Sequence, residues 1–384
     1  MRRWIYLYLP VILSACSVLS QVPPTATPVL PIAQAALPNT ATRELTPTLG
    51  PTIVPTRVTA AMATAASFTP VLSPASTAIS AARSTTSSPV CTKIPIAATP
   101  AAGELGSRQK PIVIALEVYE DAERTTVAAA QLADCLSRIT GLSYTALVRP
   151  SASTVLEALG TGQAQVAFLD PLAILYGQAK YGLDTGLVIL RSYQDQLAPF
   201  SQREFIARTA SGVRSLTDLR GKTFCFGAPN SLSGTSFPWI VLAANGINPK
   251  QDLKAIKYVG FAEQIATAIY RGECDAGSTY VDVLTFPGAG LAKTFPDIHD
   301  QVQVFYLTDQ LPNDGVQYVR TLDSKIKQAT SEALLAMAAD NPGKQPPLAY
   351  LYKIEGFMKA NNQFYQEFAA LIEKAGIHPA DLIQ

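Results

Sequence analysis

The residues best placed to do chemistry lie in Lys222–Trp239. There Ser231, Ser233, Gly234, Thr235 and Ser236 follow the aromatic run Lys222–Phe226 and precede the apolar run Ile240–Ala244. A β-forming run that stops at Gly227 reads as a short buried strand. Pro238 suits the first turn of a helix, and Asn245-Gly246 supplies its stop. Strand, hydroxyl-rich turn and helix bring O–H donors, free backbone N–H groups and the positive end of a helix dipole to one point, which favours a small oxyanion. The plainer use of the same residues is a helix cap. Ser-x-Ser-Gly by itself does not decide between the two.

Other chemistry is sparse. The two histidines, His299 and His378, fall outside the strand-to-helix turns, and no His-Glu-x-x-His, Gly-x-Ser-x-Gly or phosphate loop occurs. No catalytic residue, metal site or cofactor is implied. Cys225 or Cys274 would be the nucleophile of a transferase, but Cys225 lies between Phe224 and Phe226, as a small buried side chain does. Thirty basic residues balance 29 acidic ones, with no basic run or Arg/aromatic interleaving, so nucleic acid is not the expected partner.

The elements that must position the Ser231 turn alternate. Strands are expected at Ile112–Val118, Tyr144–Val148, Val166–Leu169, Leu187–Leu190, Glu204–Ala207, Lys222–Phe226, Ile256–Val259 and Ala276–Tyr280. Between them come helices at Thr125–Ile139, Ser153–Leu159, through Lys180, at Ser215–Arg220, after Pro238, and at Glu263–Tyr270. The first helix is expected to bury Val127, Leu132, Leu136 and Ile139. The three-unit βα pattern occurs once before Arg203 and once after it, as two α/β lobes with mainly parallel sheets would produce. From Asp323 onward the chain reads as helices: Ile326–Ala339, a segment around Tyr350–Phe357, and Phe364–Ala375 closed by Gly376.

The chain begins with Arg2 and Arg3, a short apolar run Trp4–Leu13, and Leu13-Ser14-Ala15-Cys16. This is a secretory signal rather than a membrane span. Leu-Ser-Ala-Cys resembles the bacterial lipobox, which implies lipidation of Cys16; an ordinary signal cleaved nearby is the alternative. From 17 to about 108 the sequence is Pro, Thr, Ala and Ser with few charges, and reads as a disordered linker. Such a stalk spans roughly 50 Å or more.

Ser215-Leu-Thr-Asp-Leu-Arg-Gly-Lys-Thr-Phe224, Gly227-Ala-Pro229 and Ser231-Leu-Ser-Gly234 resemble the phosphonate/phosphite solute-binding proteins of ABC importers. So do Asp121-Ala-Glu123, Phe168-Leu-Asp-Pro171, Gly272–Gly277 and Leu311-Pro-Asn-Asp314. The resemblance implies the type II periplasmic-binding fold, with lobe 1 formed by 109–203 and 304–384, lobe 2 by 204–303, and C-terminal helices bracing lobe 1. It implies a ligand in the interlobe cleft, met by Tyr119, Asp170, Ser231, Ser233, Gly234, Thr235, Glu263, Tyr280 and Asp282. The family's Phe/Tyr-x-Gly-Pro reads Phe168-Leu-Asp170-Pro171, a usual tyrosine is Ile174, and a Gly-Ser-His reads Gly260-Phe261-Ala262. Losing a hydroxyl and a histidine while gaining a carboxylate weakens a plain dianion site, so the expected ligand is a small phosphonate- or phosphite-like oxyanion or a zwitterion, or one that has diverged altogether, although Asp170 and Glu263 also suit helix starts. The implied partners are an ABC permease and ATPase on the outer face of the cytoplasmic membrane or in the cell envelope. A membrane kinase served by a ligand sensor is the alternative. In an exported setting the pairing Cys91–Cys135 and Cys225–Cys274 is the simplest, with free buried thiols the other reading.

Overall fold

The computed structural model describes residues 91, 100–340 and 346–383. Cys16, the signal and most of the Pro/Thr-rich stretch lie outside the described residues. The ordered chain reaches back ahead of Lys110. Gly106 donates its N–H to the Lys110 carbonyl at 2.8 Å and accepts from the Ser143 N–H at 2.7 Å, and Leu105 packs on the core.

The first lobe runs β1 (Ile112–Glu117), α1 (Ala122–Thr140), β2 (Tyr144–Arg149), α2 (Ala152–Gly160), β3 (Val166–Leu169), α3 (Pro171–Tyr181), β4 (Asp184–Tyr193) and β5 (Gln196–Ala198). The crossing strand β6 (Phe200–Ser201) leads to the second lobe: β7 (Arg203–Arg208), β8 (Thr223–Phe226), α4 (Phe237–Ala244), α5 (Pro249–Asp252), β9 (Ala255–Tyr258), α6 (Ala262–Tyr270), β10 (Ala276–Tyr280), α7 (Leu291–Thr294), α8 (Ile298–Gln301) and β11 (Val302–Leu307). The chain returns through β12 (Leu311–Pro312) to β13 (Gly315–Tyr318), α9 (Ser324–Asp340), β14 (Gly356–Lys359) and α10 (Gln366–Ala375).

Alternation in the strands explains the layers. In β1, Ile112, Ile114 and Leu116 face a core shared with α1 and α9, while Val113 and Ala115 face α2 and α3. The first sheet has the order β14-β4-β13-β3-β1-β2, with β3, β1 and β2 parallel and the rest antiparallel. The second has the order β11-β7-β10-β8-β9, again three parallel strands plus two antiparallel ones. The β11 strand completes this sheet, so the second lobe extends past residue 303. Between the lobes β6 and β12 pair antiparallel, with Leu311 opposite Ser201 and Pro312 opposite Phe200. Asn313 fastens this hinge: its N–H donates to the Pro199 carbonyl, and its amide to the Ile189 and Ala198 carbonyls.

Three expectations need correction. The segment around Tyr350–Phe357 is not a helix. Left-handed Tyr352 (φ 54°) and Lys353 (φ 51°) break any helical run, and Phe357 pairs with Ile189 in the edge strand β14. Val127 is exposed, because the buried face of α1 is carried by Thr125, Ala128, Ala129, Leu132 and Leu136. Finally, α9 braces the first lobe, but α10 packs on α4 of the second, with the Phe237 and Phe368 rings 5.4 Å apart.

Cys91 is bridged to Cys135 on α1, and Cys225 of β8 to Cys274 just before β10. A disulfide at Cys225 leaves no thiolate there, so the transferase alternative loses its nucleophile. Closing a loop of 44 residues, the Cys91–Cys135 bridge restricts the unfolded chain. Replacing Cys91 with Ser is expected to lower unfolding stability by about 2–4 kcal/mol in a denaturant titration.

Candidate functional site

Both sheets direct the carboxyl ends of their parallel strands toward one cavity of about 820 Å³ between the lobes, as open α/β sheets do with their ligands. The first lobe supplies Glu117 at the end of β1, Tyr119 and Glu120 after it, Ser151 and Ala152 after β2, and Asp170 after β3. The second supplies Asn230–Ser233 and Ser236 after β8 and Tyr280 at the end of β10.

The Ser231 turn divides its work. The Ser231 hydroxyl accepts from the Gly234 N–H at 2.9 Å, and the Thr235 hydroxyl donates to the Ala228 carbonyl at 2.7 Å. These two side chains therefore cap and brace. Gly234 is buried, with its N–H given to Ser231 and its carbonyl accepting from the Gly227 N–H at 2.8 Å. A Cβ on Gly227 would lie 2.8 Å from the Gly234 Cα, so this contact tolerates no side chain. The groups left over line the cavity. Among the described residues, the Ser233 and Ser236 hydroxyls and the N–H groups of Leu232 and Ser233 have no hydrogen-bond partner. The first helical turn here, Leu232–Ser236, is widened to π geometry and runs directly into α4, which leaves these donors at the end of a continuous helical segment.

The first-lobe wall is acidic. Asp170 caps α3, accepting from the Leu172 and Ala173 N–H groups at 2.8 and 3.1 Å. Glu117 lines the same wall, as does Ala152 at the start of α2. Burial, with Asp170 nearby, pushes the Glu117 carboxyl up to about 7. Burial also pushes Asp170 up to about 6, with added repulsion from Asp314 and an opposing pull from the Ala173 N–H. Asp314 is ion-paired with Arg191, and Glu120 with Lys353 at 3.4 Å. Glu117 and Asp170 have no cationic partner among the described residues. Tyr352 closes this wall: its hydroxyl donates to the Glu117 carbonyl and accepts the Glu117 N–H, and its ring lies 5.3 Å from that of Tyr119.

Of the residues expected in the site, Tyr119, Asp170, Ser231, Ser233 and Tyr280 share the cavity. Gly234 and Thr235 lie behind it. Glu263 also stands outside the wall and reaches it only by accepting from the Tyr280 hydroxyl at 2.8 Å. Asp282, in the left-handed region at φ 66°, has its N–H bonded to Glu204 and lies outside the wall. Sequence reasoning missed Glu117, Arg191, Asp314 and Tyr352. Asp314 closes the Leu-Pro-Asn-Asp motif and was within reach; no local signal marks the others.

Two α/β lobes joined by a paired hinge around a polar cleft define a two-lobed solute-binding protein of the type II periplasmic-binding fold. Residues 114–365 match the family described as ABC transporter, phosphonate, periplasmic substrate-binding protein, and the chain belongs to that family. XAC2383 from Xanthomonas citri, bound to chloride ion, has a similar structure at 18% identity and a TM-score of 0.53, covering 69% of this chain and 98% of that one. A binding-protein component of an ABC phosphonate transporter from Pseudomonas aeruginosa matches at 17% identity, a TM-score of 0.46 and coverage of 69% and 86%. PhnD1 from Prochlorococcus marinus, in complex with methylphosphonate, matches at 15%, 0.47, 69% and 98%. The likeness to the Xanthomonas citri structure is one of fold.

Carboxyl groups whose pKa rises on folding bind more protons in the native than in the unfolded state between their two values, so stability falls as pH rises through that window. For Glu117 the window runs from its ordinary 4.5 to about 7. The ligand-free protein should therefore unfold at a higher temperature at pH 5 than at pH 7.5. Glu117→Gln should flatten that difference in paired thermal scans, whereas an unchanged slope would remove Glu117 from the account.

Proposed function

We propose that this chain is a lipid-anchored, extracytoplasmic receptor that holds a small zwitterion of the phosphonate class in the interlobe cleft and delivers it to the permease and ATPase of an ABC importer. The supporting observation is the charge arrangement of one cavity. Unpaired N–H and hydroxyl donors face it from the Ser231 turn, and two carboxyl groups without cations face it from the first lobe. A bare dianion would meet the donors but would be repelled by Glu117 and Asp170. A ligand with an ammonium group at its other end meets both walls. Lipidation at Cys16 and the long Pro/Thr stretch supply the membrane attachment in this reading.

Titration calorimetry with aminoethylphosphonate, methylphosphonate and inorganic phosphate tests it. Aminoethylphosphonate should bind tightest. Its affinity should fall on acidification from pH 7.5 to 5.5, as Glu117 and Asp170 take up protons and lose their attraction for the ammonium group. Ser233→Ala removes a charge-assisted hydrogen bond of about 1.5–3 kcal/mol, roughly ten- to a hundredfold in affinity. Equal binding of methylphosphonate and aminoethylphosphonate would refute the zwitterion. Separately, Cys16→Ser should move the protein from the membrane fraction into solution; retention there would refute the anchor.

A further inference from the structure

One stretch of the cavity wall is neither acidic nor a hydrogen-bond donor. Leu172 at the start of α3, Leu232 and Phe237 of the Ser231 turn, and Leu382 and Ile383 all line the cavity. The same five side chains belong to one apolar cluster, which continues behind the wall through Ile240, Phe368 and Ile372. That cluster therefore surfaces inside the cleft. The last two of the five arrive by a specific route. Gly376 ends α10 in the left-handed region at φ 66°, one turn of 3-10 helix spans Pro379–Asp381, and the chain then runs along α3 into the cleft. A cavity of about 820 Å³ is also of the size that holds drug-sized ligands rather than a molecule with two methylenes.

Resting on the zwitterion reading above, we infer that the natural ligand carries an apolar substituent, and that Leu382 and Ile383 form the wall that selects it. A substituent of this kind would displace water from side chains that offer water no hydrogen bonds. Each buried methylene should tighten binding by about threefold to fourfold. The donors and the two carboxyl groups would then fix the head of the ligand, while the apolar wall sets which side chain it bears.

The phosphonic acid analogues of alanine and leucine share one head group and differ only in an apolar branch. Titrated calorimetrically into the full chain, the leucine analogue should bind roughly tenfold tighter or more. In the double variant Leu382→Ser, Ile383→Ser the ratio between the two ligands should collapse toward one. Because both side chains are only partly buried, this change should spare the fold, which a thermal scan of the variant checks. If the alanine analogue binds and the leucine analogue gains nothing, the apolar wall is refuted while the zwitterion site stands. A ratio that persists in the double variant removes Leu382 and Ile383 from the selection. Failure of both analogues to bind would overturn this inference together with the reading it rests on.

Discussion

Asp170 is held in the cleft wall by the start of a helix, with Glu117 lining the same wall. Asp170 accepts two backbone N–H groups at the start of α3, Glu117 stands in the same wall beside Ala152 of α2, and neither has a cationic partner among the described residues. Helix N-termini are where an open α/β protein would ordinarily hold an external anion. At the start of α3 the protein's own Asp170 occupies that place. In the proposed reading, the first lobe would then meet a cationic group and the Ser231 turn of the second lobe an oxyanion. The paired charges obey the same logic. Arg191 and Lys353 are each engaged by another carboxylate, Asp314 and Glu120, and so do not relieve the two that remain.

The fold was largely legible in the sequence, and the site only partly. Strands buried on both faces, such as Phe224–Phe226, announce themselves by composition, and the doubled βα pattern gave two lobes. The Ser231 turn was visible because its glycines and hydroxyls are contiguous. Its division into bracing side chains and free donors was not, since that depends on the approach of Gly227 to Gly234. The acidic wall was hidden for a topological reason. Strand β13 inserts between β3 and β4, placing Gly315 opposite both Leu169 and Val188. Only that insertion brings Asp314 beside Asp170 and Arg191, residues far apart in the chain. The edge strand β14 was misread as helix for a related reason: the left-handed turn at Tyr352 and Lys353 is imposed by tertiary contacts, among them the bonds of the Tyr352 hydroxyl to Glu117.

Disulfide placement follows the same partition. One bridge ties the approach to the folded unit onto α1, within the first lobe, and the other lies inside the second. Neither crosses the cleft, so no covalent link other than the chain itself joins the lobes among the described residues.

The packing of α10 changes what the moving parts are. This helix follows the first-lobe edge strand β14 in sequence but rests on α4 of the second lobe, burying Phe237, Ile240, Phe368 and Ile372 together. Pulling it away would expose those side chains at about 1.5–3 kcal/mol each. Just before it, Tyr365 is fully buried and donates its hydroxyl to the Asn313 carbonyl at the hinge. The joint therefore falls at the boundary between Tyr365 and Gln366. After α10 the chain returns through Pro379–Asp381 to α3 of the first lobe, so beside the two crossing strands it passes between the lobes twice more. Four passages in parallel would restrain relative twisting of the lobes more than two. The packing that ties the two lobes together thus includes Leu382 and Ile383, which share one cluster with Leu172 of the first lobe and Phe237 of the second, far from any crossing strand.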